Sequence, residues 1–211
     1  MLKGGSISCG FLRIAEHQIR GILSRMIELS TTTDGDNRVY WITGLSGAGK
    51  STLCRRLASH LEEQGRSVIV LDGDEMREVM GVVDAHGREE RQRLAMRYAQ
   101  LCRLLAAQGF DVAIATISLF AEVHEWNRAH LPGYVEIFVD IPLDELARRD
   151  PKGIYARAAS GDLRNVAGLD LAVDLPAAPD VLLRWREGWT EDAAFAELLD
   201  KLKSLDSRHA N

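Results

Sequence analysis

Apolar residues along positions 38–206 fall alternately into short unbroken runs and into stripes with helical spacing. The runs are three to five residues long, begin at Val39, Val68, Val112, Val135 and Val181, and are unbroken except for Glu136 in the fourth. Stripes at three- and four-residue intervals predict helices over 50–64, 88–108, 122–130, 143–149 and 191–205. Unbroken apolar strands that alternate with helices are typical of a parallel sheet covered on both faces. The pattern therefore predicts a three-layer α/β fold with about five parallel strands.

The first 37 residues follow a different pattern from the rest of the chain. Isoleucines lie there on a rough helical stripe, and a polar linker follows over 30–37. Glu16 and Glu28 interrupt the stripe, which argues against an Arg-rich targeting presequence. The segment is either a helix that packs on the domain or on a partner, or the product of a start codon assigned too early. We divide the chain into an N-terminal extension over 1–37, a domain over 38–206 and a tail over 207–211.

The composition of this 211-residue chain argues against several classes of function. Its net charge of −5 and its pI near 5.7 disfavour a broad surface for nucleic acid or for an anionic membrane. No stretch approaches the ~18 consecutive apolar residues that a membrane span requires. Cys9, Cys54 and Cys102 are widely spaced, which predicts neither a disulfide framework nor a metal site and fits a reducing cytoplasm. We expect a cytoplasmic protein that acts on small molecules.

The strongest chemical signal is a phosphate-binding loop. Residues 44–51 spell GLSGAGKS, which matches the pattern G-x-x-x-x-G-K-[ST] at every fixed position. Glycines let the backbone approach a phosphate closely, Lys50 reaches the β- and γ-phosphates, and the hydroxyl of Ser51 is a ligand for Mg²⁺. The predicted strand before the loop and the predicted helix after it aim a helix N-terminus at the anion. The loop therefore predicts binding of ATP or GTP.

Polar residues follow the second and third predicted strands, where parallel α/β sheets bind their ligands. Asp72 and Asp74 can serve a magnesium ion and take a proton from an attacking hydroxyl, and Arg77 can hold an anionic substrate. We expect this segment to be a strand-end loop. Ile117 and Ser118 follow the third strand, where a hydroxyl either positions a substrate or caps the next helix.

A basic segment follows the fourth predicted strand. Arg148, Arg149 and Lys152 lie around a Pro-Gly bend over 151–153. Arginine and lysine at such a bend can close over the phosphates as a mobile clamp, which stabilises charge during transfer and excludes water. We expect this segment to be a lid.

Taken in order, these motifs resemble those of the adenylylsulfate kinase family. The matching segments are GLSGAGKST at 44–52, LDGD at 71–74 with Arg77, Ile117-Ser118, FVDIPL at 138–143, RDPKGIY at 149–155, and GLD at 168–170 with DLP at 174–176. The resemblance covers about residues 38–185 and implies a P-loop kinase fold. It also implies an enzyme that uses ATP and Mg²⁺ to phosphorylate the 3′-hydroxyl of adenosine 5′-phosphosulfate. A homodimer is a further implication of the family.

The resemblance assigns roles to individual residues. Nucleotide contacts are implied at Gly44, Leu45, Ser46, Gly47, Ala48, Gly49, Lys50, Ser51 and Thr52, with Arg149 at the ATP base. Metal contacts are implied at Ser51 and Asp72. The residues with implied catalytic roles are Lys50, Asp72, Asp74, Ser118 and Lys152. Substrate contacts are implied at Arg77, His86, Arg91, Ile117, Ser118, Lys152 and Val166. Ser118 falls where the family has a phosphoserine, an intermediate that direct in-line transfer does not require.

The acceptor side departs from the family pattern. His86 and Val166 stand where two phenylalanines of the family sandwich the substrate adenine, and residues 116–121 lose a proline, a tyrosine and an arginine. Because stacking contributes ~1–3 kcal/mol per aromatic partner, losing both weakens adenine binding about 10²- to 10⁴-fold, unless His86 or Phe120 compensates. Three hypotheses follow: an adenylylsulfate kinase with a divergent pocket, a kinase for another acceptor such as cytidine diphosphoramidate, or a nucleotide-binding regulatory module with little turnover.

Overall fold

Five parallel strands form the centre of the domain, in the order β2-β3-β1-β4-β5. The computed structural model describes residues 37–81 and 87–209. The strands are β1 (Val39–Thr43), β2 (Val68–Asp72), β3 (Asp111–Thr116), β4 (Val135–Asp140) and β5 (Val181–Arg184). This confirms the predicted α/β class and the number of strands. Nearly all of the predicted extension, 1–36, and residues 82–86 with His86 lie outside the described residues, so the expectations for them stay predictions.

Seven helices are present in the described part of the chain. They are α1 (Lys50–Glu63), α2 (Gly73–Val79), α3 (Arg88–Ala106), α4 (Ala121–His130), α5 (Leu143–Arg149), α6 (Ile154–Ala159) and α7 (Glu191–His209). The last helix continues through position 206, the predicted end of the domain. Within the ranges 37–81 and 87–209, no helix combines the length and the apolar character needed to cross a membrane.

Strand side chains alternate between two apolar cores, one on each face of the sheet. Tyr40 and Ile42 of β1 lie in the core that α1 and α7 cover, whereas Val39 and Trp41 lie in the core that α3 covers. Trp41 is fully buried, and its large apolar surface contributes several kcal/mol to folding at about 25 cal/mol per Å². Helices packed on both faces leave the carboxyl ends of the strands as the open edge of the sheet.

The segment after β2 is a helix, and the prediction of a strand-end loop there is wrong. Asp72 is the N-cap of α2, since its Oδ1 accepts a hydrogen bond of 2.9 Å from the backbone N–H of Asp74. Asp74 and Glu75 then lie in the first turn, where the helix dipole stabilises negative charge. A helix therefore sets the direction of both predicted carboxylates.

Candidate active site

A cavity of about 490 Å³ opens at the carboxyl ends of β1, β2 and β3. The predicted site residues that line it are Ser46, Gly47, Gly49, Lys50, Ser51, Thr52, Asp72, Asp74, Arg77, Arg91, Ile117, Ser118, Lys152 and Val166. These residues come from segments more than 100 positions apart in the chain. The fold thus brings the phosphate-binding loop, the carboxylates and the predicted acceptor residues to one cavity.

The phosphate-binding loop connects β1 to the N-terminus of α1. Gly44 has φ of +151°, and a Cβ atom at this position would lie 2.6 Å from the backbone oxygen of Val139, so no other residue fits. The Nζ of Lys50 donates a hydrogen bond of 2.7 Å to the backbone oxygen of Leu45. Burial, followed by the charge of Lys152, lowers the pKa of Lys50 to about 7. The loop therefore holds an ammonium group that a bound polyphosphate would stabilise.

Ser51 and Asp72 join the phosphate-binding loop to the end of β2. The Oγ of Ser51 donates a hydrogen bond of 2.5 Å to Oδ2 of Asp72, whose other oxygen caps α2. A hydroxyl and a carboxylate oxygen are hard ligands of the kind that Mg²⁺ prefers. This pair thus fits a magnesium site on the donor side of the cavity.

Asp74 lies between two cations. Its carboxylate accepts hydrogen bonds from Arg77 on the same helix and from Lys152 of the 150–153 turn. All three side chains line the cavity and are between 38% and 50% exposed. Asp74 is therefore held at the cavity by residues from two separate elements.

The segment predicted as a lid contacts the phosphate-binding loop. The hydroxyl of Tyr155 donates a hydrogen bond of 2.9 Å to the backbone oxygen of Ser46. Asp150, which ends α5 with φ of +27°, accepts hydrogen bonds from the backbone N–H groups of Tyr155 and Ala156. These contacts order the turn that carries Lys152 to Asp74.

The predicted acceptor side of the cavity is bounded by β3 and by the loop over 165–171, here called the acceptor loop. The hydroxyls of Ser118 and Thr116 lie 2.7 Å apart. The carboxylate of Asp170 accepts hydrogen bonds from the backbone N–H groups of Asn165 and Val166. Gly168 packs so closely on Leu45 that a Cβ atom there would lie 2.9 Å from Leu45 Cδ1. The acceptor loop therefore contacts the phosphate-binding loop directly.

Four predicted residues have other surroundings. Gly44, Leu45, Ala48 and Arg149 do not line the cavity. Arg149 donates a hydrogen bond of 2.7 Å to Glu145, and hydrogen bonds from Arg148 and Arg149 lower the pKa of Glu145 to about 2. The predicted contact of Arg149 with the ATP base stays a prediction.

Several lining residues are absent from the sequence-based set of candidates. They are Leu94, Tyr98, Thr116, Phe120, Pro151, Ile154, Leu163, Arg164, Asn165, Ala167, Leu171 and Val173, together with Ala115. Among them Arg164 adds a third guanidinium group to the cavity that Arg77 and Arg91 also line. The clearest sequence signal for it is its position two residues before Val166 in a Gly- and Asp-rich segment. Phe120, proposed from the sequence only as compensation, is buried and lines the cavity.

Comparison with known proteins shows which family the chain resembles. Residues 36–184 match the family model described as adenylylsulphate kinase. The chain belongs to this family. Its members are kinases, so the chain is a phosphotransferase with the P-loop kinase fold.

Relatives in the adenylylsulfate kinase family include two different named activities. The adenylyl-sulfate kinase of Chloroflexus aurantiacus is 40% identical over 177 residues, covering 84% of this chain and 91% of that protein. The cytidine diphosphoramidate kinase of Campylobacter jejuni is 38% identical over 144 residues, covering 68% and 84%. The chain spans only 29% of a probable bifunctional SAT/APS kinase from Sorangium cellulosum.

Solved structures support the same family. The APS kinase CysC of Mycobacterium tuberculosis, in complex with AMPPNP and APS, matches with a TM-score of 0.71 at 32% identity. That match covers 81% of this chain and 99% of the other. The five-stranded adenylylsulfate kinase fold of this chain is therefore confirmed.

Proposed function

We propose that the protein transfers the γ-phosphoryl group of ATP to the 3′-hydroxyl of adenosine 5′-phosphosulfate, giving 3′-phosphoadenylylsulfate for sulfate assimilation. The observation that carries the proposal is the convergence of Lys50, Ser51, Asp72, Asp74 and Lys152 on one cavity. The family match supports it. A cytoplasmic location and a homodimer are part of the same proposal.

On the donor side, the phosphates of ATP bind along the loop over 44–51. Lys50 then exchanges its bond to the Leu45 carbonyl for the β- and γ-phosphates. Ser51 and Asp72 would hold Mg²⁺, which would supply positive charge against the charge that develops on the phosphates. The Ser51–Asp72 hydrogen bond places both ligand oxygens 2.5 Å apart before the metal arrives. The loop and the carboxylate thus position the donor.

At the centre of the cavity, Asp74 acts as the base. The acceptor oxygen forms a bond to the γ-phosphorus, its proton passes to the Asp74 carboxylate, and the bond between γ-phosphorus and the β,γ-bridging oxygen breaks to leave ADP. Lys152 contacts Asp74 in this structure, and its ammonium would stabilise charge on the transferred phosphoryl group. Closure of the lid on Ser46 through Tyr155 excludes water.

On the acceptor side, a cluster of arginines binds the 5′-phosphosulfate. Burial and the neighbouring charge of Arg77 lower the pKa of Arg91, which means that the pair of guanidinium groups is stabilised by an anion. Arg164 lines the same cavity. A doubly charged 5′ group therefore suits this end of the site.

A second acceptor class has its own support. Val166, which is buried in the cavity wall, offers an aliphatic contact at a position where adenine stacking needs a ring. Cytidine diphosphoramidate has a smaller base and also carries a phosphate-linked anion. The relative from Campylobacter jejuni carries that activity in its name. We keep a kinase for cytidine diphosphoramidate or another nucleotide-linked hydroxyl as the second candidate, and a regulatory module with little turnover as the third.

The test is ADP release from ATP and Mg²⁺ in the presence of each acceptor in turn. Adenosine 5′-phosphosulfate, cytidine diphosphoramidate and other nucleotides form the panel. Turnover that depends on adenosine 5′-phosphosulfate supports the first candidate, and turnover with cytidine diphosphoramidate alone overturns it in favour of the second. Nucleotide binding without turnover for any acceptor supports the regulatory module. The Asp74→Asn variant is the control for acceptor-dependent transfer.

A further inference from the structure

The backbone of Ser118 has an unusual conformation for its residue type. Its φ is +28°, in a region that side chains other than those of glycine rarely adopt. Ser118 is buried at 6% exposure and lines the cavity on the acceptor side. A strained conformation of this kind persists only where surrounding contacts hold it. The contacts that hold Ser118 therefore determine where its hydroxyl lies.

Hydrogen bonds hold the segment over 116–118 from two sides of the sheet edge. The hydroxyl of Thr43, at the end of β1, donates to the backbone oxygen of Ile117 at 2.5 Å. The backbone oxygen of Ser118 accepts from the N–H of Phe120 at 3.1 Å, and it lies 3.0 Å from Nε2 of His124. Thr43 and His124 are both buried. His124 thus supplies a buried side-chain contact to the Ser118 backbone oxygen.

The chemistry of this contact defines the tautomer of His124. A carbonyl oxygen only accepts hydrogen bonds, so Nε2 of His124 carries the hydrogen. The other ring nitrogen, Nδ1, lies 3.7 Å from Oε1 of Glu136, a β4 carboxylate that is 4% exposed. Glu136 is itself held by Arg128 and by the hydroxyl of Tyr134. The buried Glu136 carboxylate therefore lies near one ring nitrogen of His124. The other ring nitrogen donates to Ser118, the residue with the strained backbone.

We propose that His124 is a positioning residue for phosphoryl transfer, which holds Ser118 in the conformation that places its hydroxyl beside Thr116 at the acceptor end of the cavity. His124 does not line the cavity and acts through Ser118. Oε1 of Glu136 lies 3.7 Å from Nδ1, beyond hydrogen-bond distance, so the inference depends on the contact with Ser118 alone. The inference rests on the proposed function only for its kinetic readout, because the backbone contact exists without any substrate.

Two amide variants differ in reach alone and make a matched pair. In His124→Gln the amide nitrogen occupies nearly the place of Nε2, and it can donate to the Ser118 carbonyl. In His124→Asn the side chain is shorter, so its amide nitrogen occupies nearly the place of Nδ1. From there it cannot reach the Ser118 carbonyl. We expect His124→Asn to lower kcat/KM for the acceptor about 10- to 100-fold while leaving nucleotide affinity within about twofold. We expect His124→Gln to stay within about threefold of the native protein.

Amide hydrogen exchange of the peptide over 116–121 gives a readout that needs no activity. We expect faster exchange of this peptide in His124→Asn than in His124→Gln, at matched thermal midpoints. Equal exchange and equal acceptor kinetics in the two variants would overturn the inference. A parallel loss of nucleotide affinity in His124→Asn would also overturn it, since it would indicate a general structural role. If the native protein phosphorylates no acceptor, the proposed function fails. The comparison of hydrogen exchange between the two variants still tests whether His124 positions Ser118.

Discussion

The hydroxyl of Ser51 donates a hydrogen bond of 2.5 Å to the carboxylate of Asp72, and this contact links the first turn of α1 to the end of β2. The two residues come from the phosphate-binding loop and from the strand that is separated from it by α1. Their contact gathers the hard oxygen ligands of the donor site in one place.

Removal of the Ser51 hydroxyl should weaken the metal site. In Ser51→Ala, the proposed hydroxyl ligand for Mg²⁺ is lost, and the buried Asp72 loses a hydrogen-bond partner. We expect about 10²-fold lower kcat/KM for ATP, because an unmade bond to a charged group costs about 1.5–3 kcal/mol. A Mg²⁺ titration of activity checks this, with the midpoint displaced to higher concentration. Ser59→Ala, on an exposed face of the same helix, is the control, and an unchanged midpoint in Ser51→Ala would contradict the assignment.

Replacement of the proposed base should reduce transfer and spare binding. Asp74→Asn keeps the shape and removes the proton acceptor, so we expect kcat to fall about 10²- to 10⁴-fold. ATP affinity, measured by calorimetry, should stay within about threefold. The matched control is Glu75→Gln, since Glu75 is the next carboxylate on α2, does not line the cavity and pairs with Arg55. Equal kcat values for the two variants would rule out Asp74 as the base.

Nucleotide affinity should depend on pH through Lys50. In the free protein the pKa of Lys50 is lowered to about 7, chiefly by burial, and bound phosphates raise it. Between about pH 7 and the higher pKa of the complex, binding takes up a proton, so ATP affinity falls as pH rises. Calorimetry at pH 8 in buffers of different ionisation enthalpy should show this uptake.

The variant Lys50→Arg is the control for that measurement, because an arginine side chain stays charged throughout this range. Its binding of ATP should show no proton uptake at pH 8. Uptake of the same size in Lys50→Arg, or none in the native protein, would contradict the proposed role of the Lys50 ammonium.

Packing of the acceptor loop on the phosphate-binding loop should appear as an energetic coupling. Gly168 and Gly161 both have φ above +80°, but a Cβ atom meets Leu45 at Gly168 and open space at Gly161. We expect Gly161→Ala to lower the free energy of unfolding by about 1–2 kcal/mol and Gly168→Ala by more. Urea denaturation measures both. The double variant Gly168→Ala with Leu45→Ala should be more stable than the sum of the single changes predicts, and simple additivity would argue against the contact.

The donor half of the site could be predicted from the sequence because its signals are local. The segment over 44–51 carries a loop conformation, a cation and a metal ligand within eight residues. Helix α2 was predictable in principle from the Asp72 cap and the acidic residues after it. It lacks an apolar stripe of useful length, so periodicity gave no sign of it.

The acceptor half could not be predicted to the same depth, because it depends on long-range contacts. Arg164 and Asn165 lie in a segment without periodicity, and long-range contacts such as the packing of Gly168 on Leu45 bring them to the cavity. His124 belongs to a helix that the sequence pattern does predict. Its contact with Ser118 depends on how that helix leaves β3 and packs on β4, which no local pattern encodes.

Phosphorus NMR of the product tests the central claim most directly. The protein is incubated with ATP, Mg²⁺ and adenosine 5′-phosphosulfate, and the product is resolved alongside ADP. We predict a new phosphomonoester resonance from the ribose 3′ position, formed in equal amount to ADP and formed about 10²- to 10⁴-fold more slowly with Asp74→Asn. Release of ADP together with inorganic phosphate alone, or a phosphate at another position of the acceptor, would contradict the account.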